Sequence, residues 1–170
     1  MAAPTELERL YDRHAQALFA FLLNITRNEA DTRDLLQELF IKLARRPERL
    51  QGIREERPFL LHLAHNLLID LIRRRSTRQQ NYQRFADEIS AIFANSSDPD
   101  EQSFREALSS ALTGLPLEQR SVVQLKLWED FTFEQIAEVL EIPQNTAASR
   151  YRYGLDKLRE RLRPLYEEIK

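Results

Sequence analysis

Two groups of side chains in this sequence have the types and spacing to do chemistry, and in both the chemistry is recognition of nucleic acid. The first lies on FLLHLAHNLLIDLIRRR, from Phe59 to Arg75. His62, Asn66, Asp70 and Arg73/Arg74 recur at i, i+4, i+8 and i+11/i+12, which on a helix makes one polar stripe. Amide, imidazole and guanidinium groups suit base edges and phosphates better than a plain Glu/Lys face would. Phe59, at the start of the stretch, can stack on an unpaired base. The run Arg73-Arg74-Arg75 continues into Arg78 and Arg84, so positions 71 to 84 hold five basic residues and no acidic one. The plainer reading is a solvated helix whose negative end is stabilised by cations.

The second group lies on TFEQIAEVLEIPQNTAASRYRYGLDKLRERLR, from Thr132 to Arg163. Thr132 followed by Gln135 is a capping-box start, and Ile136, Ala137, Val139 and Leu140 give that helix an apolar face. Ile142-Pro143 is expected to stop it. Asn145 or Thr146 can cap a second helix, in which Tyr151, Leu155, Leu158 and Leu162 recur at helical spacing. Two short helices with this break match a helix-turn-helix, whose second helix enters the DNA major groove. Positions 144 to 163 hold six basic residues (Arg150, Arg152, Lys157, Arg159, Arg161, Arg163) against Asp156 and Glu160, a surplus that suits a phosphate backbone. A helical hairpin with a charged solvated face is the plainer alternative.

A third group has the opposite sign. Glu29, Asp31, Asp34 and Glu38 stand against Arg33 alone across 29 to 38. An acidic face beside exposed Leu35, Leu39 or Phe40 would suit a basic protein partner; an ordinary amphipathic helix with acids at its positive end is the simpler account. Catalysis is not expected. His62 and His65 lie three apart, but the sequence has no HExxH, no Glu-x-x-His pair, no glycine-rich phosphate loop and no cysteine. Neither a metal nor another cofactor is anticipated.

The elements that must position these groups are helical. Three glycines and seven prolines in 170 residues, with abundant Leu, Ala, Glu and Arg, indicate an all-α fold of two small domains. The first spans 1–76. Leu7, Leu10, Tyr11, His14, Leu18, Phe21 and Leu22 predict one helix, and Asn28 to Asp31 a break. Asp31 or Thr32 opens a second helix that ends before Pro47, and Pro58 opens a long one through Arg75, about 25 Å at the usual rise. Residues 77–99 form a linker, in which 78–94 carries enough apolar residues to be part helical and to dock. The second domain, 100–170, adds a helix capped by Asp98 with Pro99 at its first position and ending at Gly114. A further helix runs from Pro116 to about Trp128, and the helix-turn-helix completes the domain. A net charge of -2 argues against coating DNA by bulk charge. Charged residues among the first twenty argue against a signal peptide, and the apolar stretch from Phe59 to Ile72 is too short and too polar to span a bilayer. A cytoplasmic protein is expected.

Taken together, the two halves resemble the extracytoplasmic-function (ECF) sigma factors of bacterial RNA polymerase. The resemblance rests on LYDRHAQALFAFLLNIT, EADTRDLLQELFIKLARR and RPFLLHLAHNLLIDLIRRR in the first half, and on the stretch from Ala111 to Leu162 in the second, in this order. It implies that Asp34, Gln37, Glu38 and Lys42 dock on the clamp coiled coil of core RNA polymerase. It implies that Phe59, His62, Asn66, Asp70, Arg73, Arg74 and Arg75 serve the promoter −10 element, and that Asn145, Thr146, Ser149, Arg150, Arg152 and Tyr153 read the −35 element. It also implies control by an anti-sigma factor. The sequence departs from the family pattern at Asn145 and Glu141, where glycine is common, at Ala148, where lysine is common, and at Phe59, where tryptophan is usual. A stand-alone helix-turn-helix regulator binding duplex DNA as a dimer is the alternative, but it leaves the acidic helix without a task. A helical metal-dependent enzyme is the remote third reading.

Overall fold

The computed structural model describes residues 5–76 and 99–169, and all regular structure among them is helical. The α-helices are α1 (Glu6–Thr26), α2 (Glu29–Arg45), α3 (Glu56–Ser76), α4 (Pro99–Thr113), α5 (Leu117–Leu127), α6 (Phe133–Leu140) and α7 (Gln144–Ile169), with a 3-10 turn at Pro47–Leu50. The chain divides into two compact units. One holds α1 to α3; the other holds α4, α5, α7 and most of α6. The linker segment 78–94, Arg78, Arg84 and the Asp98 cap lie outside the described residues.

In the first unit, α1 opens with a capping box. The Thr5 hydroxyl accepts the Glu8 N–H, and the Glu8 carboxylate accepts the Thr5 N–H at 2.6 Å, which holds the Glu8 carboxyl below its usual range. Only two residues separate α1 from α2. Arg27 is left-handed (φ 55°) and returns its N–H to the Leu23 carbonyl. The Asn28 side chain accepts the Asp31 N–H at 2.9 Å, and the Thr26 and Thr32 hydroxyls meet at 2.7 Å. This elbow corrects the expected start of α2. Asn28 is the cap, because its carboxamide reaches the third N–H of the helix, and Asp31 and Thr32 therefore fall inside the first turn. Similarly, α3 starts at Glu56 rather than Pro58, since a proline without an N–H is tolerated throughout the first turn. The ends behave as expected, with α2 stopping at Arg45 before Pro47.

The three helices contact one another and bury Leu10, Leu18, Phe21 and Leu22 of α1, Leu35, Leu39 and Leu43 of α2, and Leu60, Leu61, Ala64 and Leu68 of α3. Each such Leu or Phe contributes about 1.5–3 kcal/mol from burial alone. At the surface, Glu56 Oε2 at the start of α3 accepts from Arg13 (3.0 Å) and lies 2.8 Å from His14 Nε2, so both partners of this one oxygen come from α1. The contact with His14, reinforced by Arg13, holds the Glu56 carboxyl below its usual range.

In the second unit, α4 ends at Thr113, before Gly114, as expected. Arg120 donates to the carbonyl of the helix's last residue, Thr113 (2.7 Å), and to that of Leu115 (2.9 Å) in the turn that follows. Ala111, Leu112, Leu115, Val123, Leu158 and Leu162 form the core, with Tyr151 and Leu155 packed against it, so the apolar positions expected on α7 do face α4 and α5. The Thr132–Gln135 capping box is formed, with bonds of 3.1 and 2.9 Å. The end of α6 is a correction. The helix stops at Leu140, and Glu141 takes the left-handed conformation (φ 54°), returning its N–H to the Ala137 carbonyl. Proline at 143 therefore follows a stop already made. The start of α7 is a second correction: Pro143 offers its carbonyl to the Ala147 N–H (3.1 Å), and Asn145 and Thr146 sit within the first turn rather than capping it.

Candidate polymerase and promoter surfaces

The acidic helix is α2. Asp34 and Gln37 are exposed, Glu38 is half-buried and 3.2 Å from Lys42 Nζ one turn on, and Lys42 is exposed. These four residues share the outward side of α2. The apolar neighbours expected beside them are not available: Leu35, Leu39 and Phe40 are all buried. The reason is that α2 packs against both α1 and α3, which demands a wider apolar face than one partner would. Ile41 and Tyr11 are the exposed large hydrophobics here instead, at 43% and 49%. Tyr11 meets Phe40 edge-on at 4.9 Å, and with Phe19, Leu36, Gln37 and Ile41 they line a shallow groove of about 650 Å³ between α1 and α2.

The polar stripe lies along α3. Asn66, Asp70, Arg73 and Arg74 are exposed, Phe59 and His62 half-buried, and the Asn66 amide lies 3.2 Å from His62 Nε2. Phe59 stands on the same side of the helix, three residues before His62, so an aromatic ring, an amide and two guanidinium groups share one accessible strip. Arg75 does not join them. It faces α2, where it pairs with Asp31. On the opposite side Leu60, Leu61, Ala64, Leu67 and Leu68 are buried, while Leu63 and Leu71 are half-buried at the margins.

His65 stands beside this stripe and is largely buried. Burial, with a smaller contribution from His62, pushes it down from 6.5 to about 4, so it is neutral at physiological pH. The sign follows directly. The unfolded chain takes up this proton near 6.5 and the folded chain only near 4, so acidification favours unfolding. The stability associated with a neutral His65 should be complete above pH 6.5 and drain away as pH falls towards 4. Thermal melts across that range should show the loss, and His65→Gln should reduce it; an identical pH profile in the variant would remove His65 as the cause.

The helix-turn-helix consists of α6 and α7, and α5 braces it. Lys126 donates to the Phe131 carbonyl at 3.1 Å and places its ammonium 4.7 Å from the Phe133 ring. Phe133 in turn meets Tyr151 of α7 edge-on at 5.6 Å. One residue escaped the sequence reading. Gly154 is buried in the middle of α7, and a Cβ there would stand 2.8 Å from Val123 Cγ2 of α5. The signal was available: glycine inside a helix costs about 1 kcal/mol against alanine, which implies a packing reason. On the outward side of α7, Asn145, Arg152 and Tyr153 are exposed and Thr146, Ser149 and Arg150 half-buried. The Arg152 guanidinium carbon lies 5.4 Å from the Tyr153 ring, a cation–π distance between two exposed side chains. Arg161, counted in the basic surplus, turns back to donate to the Gly114 carbonyl at 3.2 Å. Among the described residues no cluster of three metal-ligating side chains occurs, and no helix is long and apolar enough to cross a membrane.

Comparison with known proteins covers both units. The Sigma-70 region 2 family matches residues 10–78, and the Sigma-70 region 4 family matches residues 111–160. The chain is 33% identical over 169 residues to the ECF RNA polymerase sigma factor SigL of Mycobacterium tuberculosis, covering 96% of this chain and 93% of that protein. It is 28% identical to the ECF RNA polymerase sigma factor SigX of Bacillus subtilis, covering 94% and 85%. Among solved structures, the sigma factor RpoE of Bartonella quintana, crystallised with the anti-sigma factor NepR, superposes with a TM-score of 0.74 at 19% identity, over 93% of this chain and 97% of that one.

Proposed function

The chain belongs to the ECF sigma factors of RNA polymerase, and from that premise we propose how its side chains divide the work of promoter recognition. As a sigma factor it binds core polymerase and directs initiation at promoters through the −35 and −10 elements. In the proposed division, residues 1–76 dock on the core enzyme and open the −10 element, 77–99 link, and 100–170 hold the −35 element. Asp34, Gln37, Glu38 and Lys42 form the docking face. Phe59, His62, Asn66, Asp70, Arg73 and Arg74 receive the unpaired −10 strand. Unstacking a base costs a few kcal/mol, which stacking on Phe59 and phosphate contacts from Arg73 and Arg74 offset. Asn145, Thr146, Ser149, Arg150, Arg152 and Tyr153 read the upstream duplex from the first turns of α7. The chain makes and breaks no bond; polymerase supplies the catalysis. Its place of work is the cytoplasm, and the family resemblance adds an anti-sigma factor as a further partner.

The observation that supports this reading best is the separation of surfaces within the first unit. An outward acidic face on α2 and an outward polar, arginine-ended stripe on α3 occupy different helices. A duplex-binding regulator has no use for either; a subunit that must hold polymerase and single-stranded DNA together needs both. The test is run-off transcription with Arg150→Ala and Arg152→Ala. Each should lower promoter affinity by about 1–3 kcal/mol, and the loss of a phosphate contact should shallow the salt dependence. Unchanged transcription from both variants would mean that α7 presents a different reading face.

A further inference from the structure

Three consecutive arginines end α3, and they do not do the same thing. Successive helical residues point about 100° apart, so Arg75 projects well away from Arg73 and Arg74. Its two terminal nitrogens donate to the two carboxylate oxygens of Asp31, both at 2.6 Å. This two-on-two arrangement is the strongest and most direction-specific form of an Arg–carboxylate pair. Asp31 is itself fixed: its backbone N–H is held by Asn28, its side chain is only 14% exposed, and it stands in the first turn of α2. The pair therefore ties the start of α2 to the end of α3, across 44 positions of sequence. Arg73 and Arg74 are exposed, and the Arg75 side chain keeps 39% exposure while it holds Asp31.

We propose that Arg75 is a positioning residue that makes no contact with DNA: locked on Asp31, it sets the direction in which the exposed stripe of α3 meets the promoter. The proposal rests on the reading of α3 as the −10 helix and removes one residue from the set that the family resemblance implies. The lock has two effects. It holds the last turn of α3, where carbonyls lack helical partners and the backbone would otherwise fray. It also makes the helix carrying the docking face and the helix carrying the promoter stripe into one body, so that the position of core polymerase on α2 dictates where Arg73 and Arg74 stand.

The experiment measures holoenzyme binding to a promoter with a fluorescent base in the −10 element, over a range of salt. Arg73→Ala is the reference for a phosphate contact and should lower the salt slope by about one. Arg75→Ala should weaken opening by about tenfold with the slope unchanged, Asp31→Asn should match it, and the two together should be no worse than either alone. The reversed pair, Asp31→Arg with Arg75→Asp, should recover to within about threefold of the parent, as a coupled pair requires. A slope that falls in Arg75→Ala as it does in Arg73→Ala overturns the proposal, as does a reversed pair no better than the single variants. Should Arg73→Ala leave the slope alone while Asp31 and Arg75 remain coupled, the lock stands and the assignment of the stripe falls.

Discussion

Gly154→Leu will loosen the second unit and remove its upstream DNA binding, with a loss of about 3 kcal/mol in unfolding free energy. The position is buried, and a single added carbon already stands 2.8 Å from Val123 Cγ2, with Gln119 Cβ next at 3.6 Å. A leucine cannot fit there without moving α7 off α5. That movement would also part Tyr151 from Phe133 and pull Leu155 and Leu158 out of the core they line. Gly154→Ala is the graded control: its Cβ, 2.8 Å from Val123 Cγ2, still forces α5 and α7 to shift, though less than leucine does, and its better helix propensity, about 1 kcal/mol, offsets part of the strain. Urea unfolding followed by tryptophan fluorescence reads the right region, because the single tryptophan, Trp128, closes the end of α5. A leucine variant with an unshifted midpoint would show that α5 and α7 do not meet here.

Asp34→Arg combined with Glu38→Arg will cut the affinity for core polymerase by roughly a hundredfold or more, since like charges across an interface cost several kcal/mol. The fold should survive. Asp34 is exposed, and the pair that Glu38 makes with Lys42 is an i,i+4 contact at the surface of α2. Reversing it creates a like-charge pair worth only a few tenths of a kcal/mol against the helix. Helicity and melting temperature should therefore stay near those of the parent while holoenzyme formation collapses. Equal affinity for core polymerase in the reversed variant would remove α2 as the docking helix.

What could be read from the sequence was local. The Thr132–Gln135 box is satisfied within one turn, and the apolar periods of α1 and α7 persist over several turns, so nothing distant has to be known. Helix starts were harder, because several side chains compete for each. Asn28 outcompetes Asp31 and Thr32 at α2, and α7 starts earlier than expected, its first helical bond running to the Pro143 carbonyl, so that Asn145 and Thr146 fall inside the first turn. Exposure was harder again. Leu35, Leu39 and Phe40 look available on a helix packed from one side and are buried because α2 is packed from two. The Arg75–Asp31 pair could not be read at all: in a row of three identical arginines, only the path of the chain says which one reaches Asp31.

The two-residue elbow between α1 and α2 has a consequence for the order of events during synthesis. Contacts between these two helices begin beside the elbow and extend outward to pairs such as Tyr11 and Phe40, so closure can proceed through small loops and be complete within microseconds to milliseconds. A ribosome adds about 5–20 residues per second, which leaves seconds between the emergence of α2 and that of α3. Helix α3 thus arrives at a hairpin that is already closed, with Asp31 already held in place to receive Arg75.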